Sequence, residues 1–271
     1  MVVEDYIGIF DSGMGGLSVA REIRKLLPNE NLLYFADSAF CPYGTKEPAK
    51  IVARSQQICR FLLEHQAKML VVACNTASIA GLDLLRKTFS EIPIVGMEPA
   101  VKPAATLTRN GRVGVLATGV TLKGDRFSSL IKRFAQDIQV FRQPCPGLVE
   151  LVENGEIAGS HTEQLLKQYL QPLLEQQIDT LVLGCTHYPF LRAKIQEMVG
   201  DSIQLIDTGA AVAQQVKRKI IEFKLAAASE QKGRYCFYTS GDPEKVRQTI
   251  SLLLNLPVEQ VNYLNWPEIA D

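Results

Sequence analysis

The chain has 271 residues, of which 46% are hydrophobic, and its 29 acidic and 29 basic side chains give a formal net charge of zero. This length exceeds that of one common domain and fits two compact domains with full cores. A neutral chain has no general electrostatic attraction to DNA, RNA or anionic lipid, so we expect neither a nucleic-acid partner nor a membrane partner.

The start of the chain, its apolar runs and its cysteines together predict a cytoplasmic protein. Residues 1–5 are short and acidic and lack the basic start and apolar stretch of a secretion signal. Apolar runs such as residues 69–73 have the length of a strand, whereas a bilayer span needs about 20 residues. Six cysteines without a Cys-x-x-Cys pair argue against a zinc ribbon or a disulfide framework, and we expect no metal.

Short apolar strands alternate along the chain with longer amphipathic helices. The predicted strands lie at residues 6–10, 31–36, 69–73, 92–96, 111–117, 137–141, 179–183 and 202–206. The predicted helices lie at residues 16–27, 47–65, 76–89, 122–134, 161–176 and 189–198. Continuous apolar strands separated by helices are typical of mainly parallel sheets flanked by helices, so we predict an α/β fold.

An internal repeat relates the two halves. Residues 7–13 match residues 113–119 at an offset of 106, and LVVAC ending at Cys74 matches LVLGC ending at Cys185 at an offset of 111. Two further pairs keep the same order, Ile94-Val95 with Leu205-Ile206 and Cys41-Pro42 with Cys145-Pro146. The repeat predicts two pseudo-symmetric α/β domains, and ligands of such sheets bind beyond the carboxyl ends of the strands. We therefore expect the active site in the interdomain cleft.

The last 60 or so residues lie outside the repeat. A helix at residues 207–223, a strand at 234–238 and a helix at 243–254 capped by Asp242 are predicted there. We expect this segment to extend the first domain, with the crossing near residues 98–100. The first domain is then discontinuous, residues 1–98 plus 211–271, and the second comprises residues 99–210.

Cys74 and Cys185 both follow a predicted buried strand and precede a predicted helix, where the positive helix terminus favours a thiolate. Backbone N–H groups and the neighbouring Asn and Thr side chains can hold a carboxylate there. A single cysteine at a strand end is more often a small buried hydrophobic residue. Two cysteines at matched repeat positions with polar neighbours favour the alternative, two reactive thiols facing one cleft.

Residues 11–16, DSGMGG, follow the first strand and permit close backbone approach or anion binding. A dinucleotide site is one interpretation, with Asp37 as the ribose-binding carboxylate. Ser18 stands where the third glycine of that fingerprint belongs, and Asp11 would repel a pyrophosphate. We therefore prefer Asp11 as a helix cap or as the polar partner of Cys74.

Three further residues have both a structural and a functional interpretation. His187 is either a loop histidine bonded to backbone or a base that sets the protonation of Cys185. Tyr43 belongs to a Pro-Tyr-Gly segment that is usually only a turn. Glu153 lies near a helix end, where a carboxylate is more often solvated, and we keep it as a candidate.

Taken together, residues 10–16, 42–44, 73–77, 149–155 and 184–189 resemble the glutamate racemase family, a branch of the aspartate/glutamate racemases. The resemblance implies Cys74 and Cys185 as acid–base residues, assisted by Asp11 and His187. It also implies substrate contacts from Asp11, Ser12, Tyr43, Gly44, Asn75, Thr76, Thr118, Thr121, Thr186 and His187.

The activity that the resemblance implies is cofactor-independent racemisation of glutamate, which supplies D-glutamate for peptidoglycan and cell shape. Cys74 would take the α-proton from D-glutamate and Cys185 from L-glutamate. The chain departs from many relatives at Phe40-Cys41, where an arginine is common, and at residues 123–127. The first strand begins six residues in, so we expect no N-terminal extension of the kind found in relatives activated by a cell-wall nucleotide precursor.

Other functions remain open at this point. An aspartate racemase or related two-cysteine racemase would use the same thiols. A thiol hydrolase using Cys185 with His187 would leave Cys74 unexplained and should form a covalent acyl intermediate. The non-enzymatic alternative is a two-lobed protein that binds a partner and modulates gyrase. The oligomeric state is also open, with a homodimer as the candidate.

Overall fold

A computed structural model describes residues 5–227 and 231–266 and places two parallel sheets side by side. The strands are β1 (Tyr6–Asp11), β2 (Asn31–Ala36), β3 (Ala67–Val72), β4 (Ile94–Val95), β5 (Arg112–Ala117), β6 (Gln139–Pro144), β7 (Thr180–Leu183), β8 (Gln204–Ile206), β9 (Tyr235–Thr239) and β10 (Asn262–Tyr263). The helices are α1 (Leu17–Leu26), α2 (Pro48–Glu64), α3 (Asn75–Thr88), α4 (Val101–Leu107), α5 (Gly119–Lys123), α6 (Asp125–Phe134), α7 (Leu148–Glu153), α8 (Ser160–Glu175), α9 (Arg192–Val199), α10 (Gly209–Glu222) and α11 (Pro243–Leu254).

The first sheet has the order β10-β9-β2-β1-β3-β4, and the second has the order β6-β5-β7-β8. Every paired neighbour is parallel. The inner strands are buried along almost their whole length, because helices cover both faces and leave no solvent-facing side that would require polar residues. The predicted α/β fold with two mainly parallel sheets is confirmed.

The repeat in the sequence corresponds to a repeat in topology. The order β2-β1-β3-β4 in the first sheet is the order β6-β5-β7-β8 in the second, so each matched sequence pair lies on an equivalent strand or just beyond it. We call the part built on the first sheet the first lobe and the part built on β5–β8 the second lobe.

The C-terminal segment joins the first lobe through strand pairing. β9 pairs with β2 from Leu32↔Tyr235 to Ala36↔Thr239, and β10 pairs with β9. Asp242 caps α11 as predicted, since its side chain accepts bonds from the N–H groups of Glu244 and Lys245. The residue limits of the two domains remain a prediction, and so does the assignment of α10, which packs against α1 of the first lobe.

Several helices differ from the sequence prediction. The helix predicted at residues 122–134 is two helices, because Gly124 is extended and Thr118 caps a separate short helix, α5. α4 and α7 were not predicted, and both are shorter than two full turns. The helix predicted at residues 189–198 begins as a 3₁₀ turn, Tyr188–Leu191, around Pro189, and becomes α-helical only at Arg192.

The strand order fixes where a ligand site can form. In each sheet the second strand of the repeat lies on one side of the first strand, and the third strand lies on the other side. The strand order therefore switches direction between β1 and β3 and between β5 and β7. Ligands of open parallel sheets bind at such switch points, beyond the carboxyl ends of the strands. Asp11 and Cys74 lie there in the first lobe, and Thr118 and Cys185 lie there in the second. Among the helices that the structure describes, none is long and apolar enough to cross a membrane.

Candidate active site

A closed cavity between the lobes holds both strand-end cysteines. The cavity measures about 250 Å³ and is so narrow that little of it is open to a water molecule. Cys74 and Cys185 are 4% and 7% exposed. The lining residues of this interlobe cavity are Ser12, Pro42, Tyr43, Gly44, Cys74, Asn75, Thr76, Thr118, Val149, Cys185, Thr186 and His187. Two larger clefts, both lined by Glu98 and Arg126, contain no cysteine.

Cys74 is held at the start of α3, where it is the N-terminal capping residue. Its Sγ accepts a hydrogen bond from the Ala77 N–H at 3.4 Å and lies 3.9 Å from Ser12 Oγ. Burial raises the pKa of the Cys74 thiol well above its ordinary value, and the negative charge of Asp11 adds to this, whereas the Ala77 N–H acts in the opposite direction. Burial and Asp11 therefore favour the thiol form of Cys74, and the helix start, through the Ala77 N–H, acts toward the thiolate as the sequence predicted.

Asp11 lies behind Cys74 and connects the two lobes. Its carboxylate accepts hydrogen bonds from the Ser12 N–H at 2.7 Å, from the Gly16 N–H, and from Thr186 Oγ1 of the second lobe at 3.1 Å. Burial raises the pKa of Asp11, although the nearby His187 charge opposes the shift. The carboxylate is fully buried, so it can act on a ligand only through the side chains around it.

Cys185 is backed by a histidine and a carboxylate. Its Sγ lies 3.6 Å from His187 Nδ1, and His187 Nε2 lies 2.6 Å from Glu153 Oε1. Burial opposes protonation of His187, but its contacts with Cys185 and Glu153 outweigh burial and hold the pKa of His187 well above the ordinary value. The Gly15 N–H donates to Nε2 at 3.2 Å, and Glu153 Oε1 lies 2.6 Å from the same nitrogen. The raised pKa favours the imidazolium form of His187 between Cys185 and Glu153.

Glu153 is not the solvated surface charge that its sequence context favoured. Its side chain is 14% exposed, and Oε1 accepts the Met14 N–H at 2.6 Å in addition to the His187 contact. The contact joins residues 139 positions apart in the sequence, which no local pattern could indicate.

The glycines after β1 are explained by this packing rather than by a bound phosphate. A Cβ on Gly15 would stand 2.3 Å from His187 Nδ1, and one on Gly13 would stand 2.2 Å from Glu153 Oε1. Real Cβ atoms essentially never approach other atoms so closely. Glycine at these positions allows the second lobe's His187–Glu153 pair to rest directly on the backbone of the first lobe.

The carboxylate of Asp37, the ribose-binding candidate of the dinucleotide interpretation, already has hydrogen-bond donors within the protein. It accepts hydrogen bonds from Tyr43 Oη at 2.7 Å, from Arg54 Nε and Nη2 at 2.8 and 2.7 Å, and from Ser240 Oγ at 2.7 Å. The network fixes Tyr43 against the cavity and ties it to β9 through Ser240. Sequence reasoning did not identify Arg54 or Ser240, because both act through Asp37 and lie far from any motif.

Hydroxyl and amide groups from both lobes complete the wall. Thr76 Oγ1 lies 3.0 Å from Thr118 Oγ1 and 3.3 Å from Thr121 Oγ1, which joins α3 to α5 across the cleft. Asn75 is 3% exposed, yet neither Oδ1 nor Nδ2 has a hydrogen-bond partner among the residues that the structure describes. Buried amides without partners are rare in folded proteins, so Asn75 is suited to a polar ligand entering this cavity.

Most of the predicted site residues meet at the cavity. Three lie one layer behind its surface: Asp11 behind Ser12 and Thr186, Thr121 behind Thr76, and Glu153 behind His187. Pro42 and Val149 line the cavity and were not predicted, although both fall within the segments that carry the family resemblance. Cys185, expected at a helix start, instead precedes the 3₁₀ turn that begins at Tyr188, so the charged His187 replaces a helix terminus as its neighbour.

The profile of the Asp/Glu/Hydantoin racemase family matches residues 7–216 of the chain. The glutamate racemase of Pseudomonas aeruginosa is 53% identical over 251 residues, which are 93% of this chain and 94% of that protein.

Solved structures give the same match in three dimensions. A glutamate racemase isoform from Bacillus anthracis superposes with a TM-score of 0.88 at 31% identity, covering 98% of this chain and 99% of that one. Escherichia coli glutamate racemase, solved with L-glutamate and the activator UDP-MurNAc-Ala, superposes with a TM-score of 0.83 at 36% identity, covering 96% and 98%.

Proposed function

Because the chain belongs to the Asp/Glu/Hydantoin racemase family, we propose that it interconverts L-glutamate and D-glutamate by exchanging the α-proton between Cys74 and Cys185. The observation that carries the proposal is the entry of both sulfurs into one cavity, each from the equivalent strand end of its own lobe. The resemblance over 93% of the chain to a glutamate racemase supports glutamate rather than aspartate as the substrate. We infer a cytoplasmic role, the supply of D-glutamate for peptidoglycan.

Racemisation needs two proton-transfer groups on opposite faces of one carbon. A base removes the α-proton from one face, the carbon becomes planar, and an acid returns a proton to the other face. A thiolate and a thiol suit this exchange, because each becomes the other once the proton has moved. The two lobes supply the two groups from opposite sides, and their roles reverse when the opposite enantiomer binds.

The protonation states of the closed site support one starting direction. The Cys185 sulfur lies 3.6 Å from His187 Nδ1, and the raised pKa of His187 favours a positive charge beside it, whereas burial and Asp11 raise the pKa of Cys74. In this arrangement Cys185 is the base and Cys74 is the acid. By the family assignment, this form of the site accepts L-glutamate. For D-glutamate the proton must first leave Cys74, and the adjacent buried Asp11 carboxylate is the acceptor for it, although the same negative charge raises the pKa of the thiol.

Neutral donors bind the substrate in this account. The unpartnered amide of Asn75, the N–H groups that begin α3, and the hydroxyls of Ser12, Thr76 and Thr186 converge on the space between the sulfurs. Donors aimed at the α-carboxylate stabilise the negative charge that develops when the α-proton leaves. The space now available is too small for glutamate, so the lobes must part for entry and close again, which also excludes water from the reaction.

Single cysteine replacements test the proposal. Cys74→Ala and Cys185→Ala should each abolish racemisation in both directions, since one proton-transfer group is lost in each. Circular dichroism of the reaction mixture measures loss of optical activity from either enantiomer, with L-aspartate as the competing substrate. Cys236→Ala, which removes a partly exposed thiol outside the cavity, is the control and should keep full activity.

Near-normal turnover by either cavity variant would overturn the two-thiol scheme. Faster turnover of aspartate than of glutamate by the unaltered chain would overturn the substrate assignment. A burst of covalent acyl intermediate would instead support the hydrolase alternative.

A further inference from the structure

We propose that Cys41, Glu153 and His187 form a binding site for a zinc ion at the edge of the interlobe cavity. One ligand atom from each of the three residues lies within 4.8 Å of the other two. The sequence contains no zinc motif, because the three ligands come from a loop, a helix end and a strand end that meet only in the folded chain.

The cluster spans the two lobes. Cys41 lies in the first lobe just before Pro42, whereas Glu153 ends α7 and His187 follows β7 in the second. His187 is 1% exposed, but Cys41 and Glu153 are only partly buried, so an ion can reach the cluster from their side. Cys41 does not line the cavity, and the proposed reaction gives it no task.

The donor set matches zinc. A thiolate, an imidazole nitrogen and a carboxylate oxygen are the three ligand types that zinc uses in proteins, and three protein ligands leave a fourth position for water. Tetrahedral zinc holds such atoms roughly 3.5 Å apart. The Nε2–Oε1 separation of 2.6 Å must widen by under about 1 Å, and the Cys41 sulfur, within 4.8 Å of a ligand atom of each other residue, must move toward them. Binding releases two protons to the solvent, the one shared by His187 and Glu153 and the thiol proton of Cys41.

Zinc in this position should inhibit the enzyme. The ion would join Cys41 of the first lobe to Glu153 and His187 of the second and hold the lobes closed against substrate. It would also replace the proton that His187 Nε2 shares with Glu153, so that the ring beside Cys185 could no longer become an imidazolium. The inhibition rests on the proposed function, whereas the binding itself does not.

Direct metal titration tests the binding independently of catalysis. The chelator-treated chain should remove one zinc ion from a chromogenic chelator, and Co²⁺ added in its place should show thiolate-to-metal charge-transfer absorption. Cys41→Ser should weaken zinc binding by at least about tenfold and abolish that absorption, while keeping full racemase activity in the presence of chelator. Glu153→Gln should also weaken binding, and circular dichroism should show that each variant is folded.

Cys236→Ser is the matched control, since it removes a partly exposed thiol elsewhere and should bind zinc as the unaltered chain does. Equal zinc affinity in Cys41→Ser and the unaltered chain would overturn the proposal and place any metal on the cavity thiols. Absence of zinc binding in the unaltered chain would overturn it as well. Inactivity of the metal-free chain toward glutamate would count against the proposed function and leave the binding result standing.

Discussion

Cys74 and Cys185 face one cavity but are supported by different groups. Cys74 has a buried carboxyl group, Asp11, behind it, whereas Cys185 has an imidazolium that is itself paired with Glu153. The two sulfurs therefore have different neighbours, although they occupy equivalent positions in the repeat. Symmetry of the fold gives the opposed geometry, and the supporting residues make the surroundings of the two sulfurs unlike.

The close packing of His187 on Gly15 predicts the effect of adding one methyl group at position 15. In Gly15→Ala the new methyl group would stand 2.3 Å from His187 Nδ1 and displace a ring that is held by two hydrogen bonds. A misplacement of about 1 Å in a proton-transfer group costs on the order of a hundredfold in rate, so kcat should fall by about that factor in both directions. Initial rates from L- and D-glutamate measure the effect.

Gly119→Ala is the control for this substitution, because no atom of residues 5–227 or 231–266 lies within 4 Å of a Cβ at that position. It should keep near-normal activity. Equal activity in Gly15→Ala and Gly119→Ala would show that the histidine does not need its present position.

The raised pKa of His187 predicts a pH dependence of stability. The group binds its proton more tightly in the folded chain than in the unfolded chain, where its pKa is about 6.5. Its stabilising contribution is therefore complete below about pH 6.5 and declines as the pH rises toward the raised folded value, by at most about 1.4 kcal/mol per pH unit. In His187→Gln this decline should be absent.

Denaturant unfolding of both proteins between about pH 6 and pH 9 measures the difference. The free energies of unfolding should differ most at the acidic end of this range and converge toward the alkaline end. A difference that grows with pH would mean that His187 is neutral in the folded chain.

Local sequence patterns identified cysteines, hydroxyls and glycines around the site but missed how they are supported. Asn75 was predicted from its place beside Cys74, yet its unpartnered amide emerges only from the folded surroundings. The contacts of Glu153 to Met14 and of Ser240 to Asp37 span 139 and 203 residues. Such pairings depend on how the lobes and the C-terminal segment come together, which a single sequence does not specify.

Among the secondary-structure elements, the sequence predicted the long helices and the buried strands but not the short helices. β2 has the predicted limits, and α2, α3 and α8 lie within a few residues of theirs. α4 and α7 span seven and six residues, too short for an apolar period to be distinguished from a loop. The break at Gly124 depends on tertiary packing, since a Cβ there would stand 2.4 Å from Ile79 of α3.

The cap of α11 gives a prediction about an element remote from the cavity. Asp242 accepts hydrogen bonds from the Glu244 and Lys245 N–H groups at 2.9 and 3.2 Å, and it is exposed. Asp242→Ala should lower the free energy of unfolding by about 1 kcal/mol, because two N–H groups lose their partner. Thermal unfolding followed by circular dichroism should show a melting temperature lower by about 2–4 °C.

Asp242→Ser is the matched variant, since serine restores a capping oxygen and should recover most of the loss. Racemase activity should be unchanged in both. A loss of activity in Asp242→Ala without a loss of stability would contradict the separation of this helix from the site.

At the level of the whole molecule, two copies of one topology bring their switch points together. Each lobe alone has a strand-end thiol and hydroxyl donors, but neither encloses a ligand. Three of the contacts that join them, Thr186 to Asp11, Glu153 to Met14 and Thr76 to Thr118, surround the cavity. The sequence repeat predicted two lobes with their thiols facing one cleft, and the structure gives the contacts by which the lobes meet.

In the proposed two-thiol mechanism, catalysis depends on both lobes at once. There, opening admits substrate, and closure brings one sulfur to each face of the α-carbon. A protein with one proton-transfer group would have to remove and return the proton on opposite faces with the same side chain. The origin of the proton in the product distinguishes the two cases.

The most direct test is therefore racemisation in deuterium oxide, stopped early and analysed by chiral separation and mass spectrometry. Starting from L-glutamate, the account predicts that the D-glutamate formed carries one deuterium at its α-carbon while the remaining L-glutamate carries none, and the reverse when D-glutamate is supplied. Deuterium in the recovered starting enantiomer, or a product that keeps its original proton, would contradict two thiols acting from opposite faces.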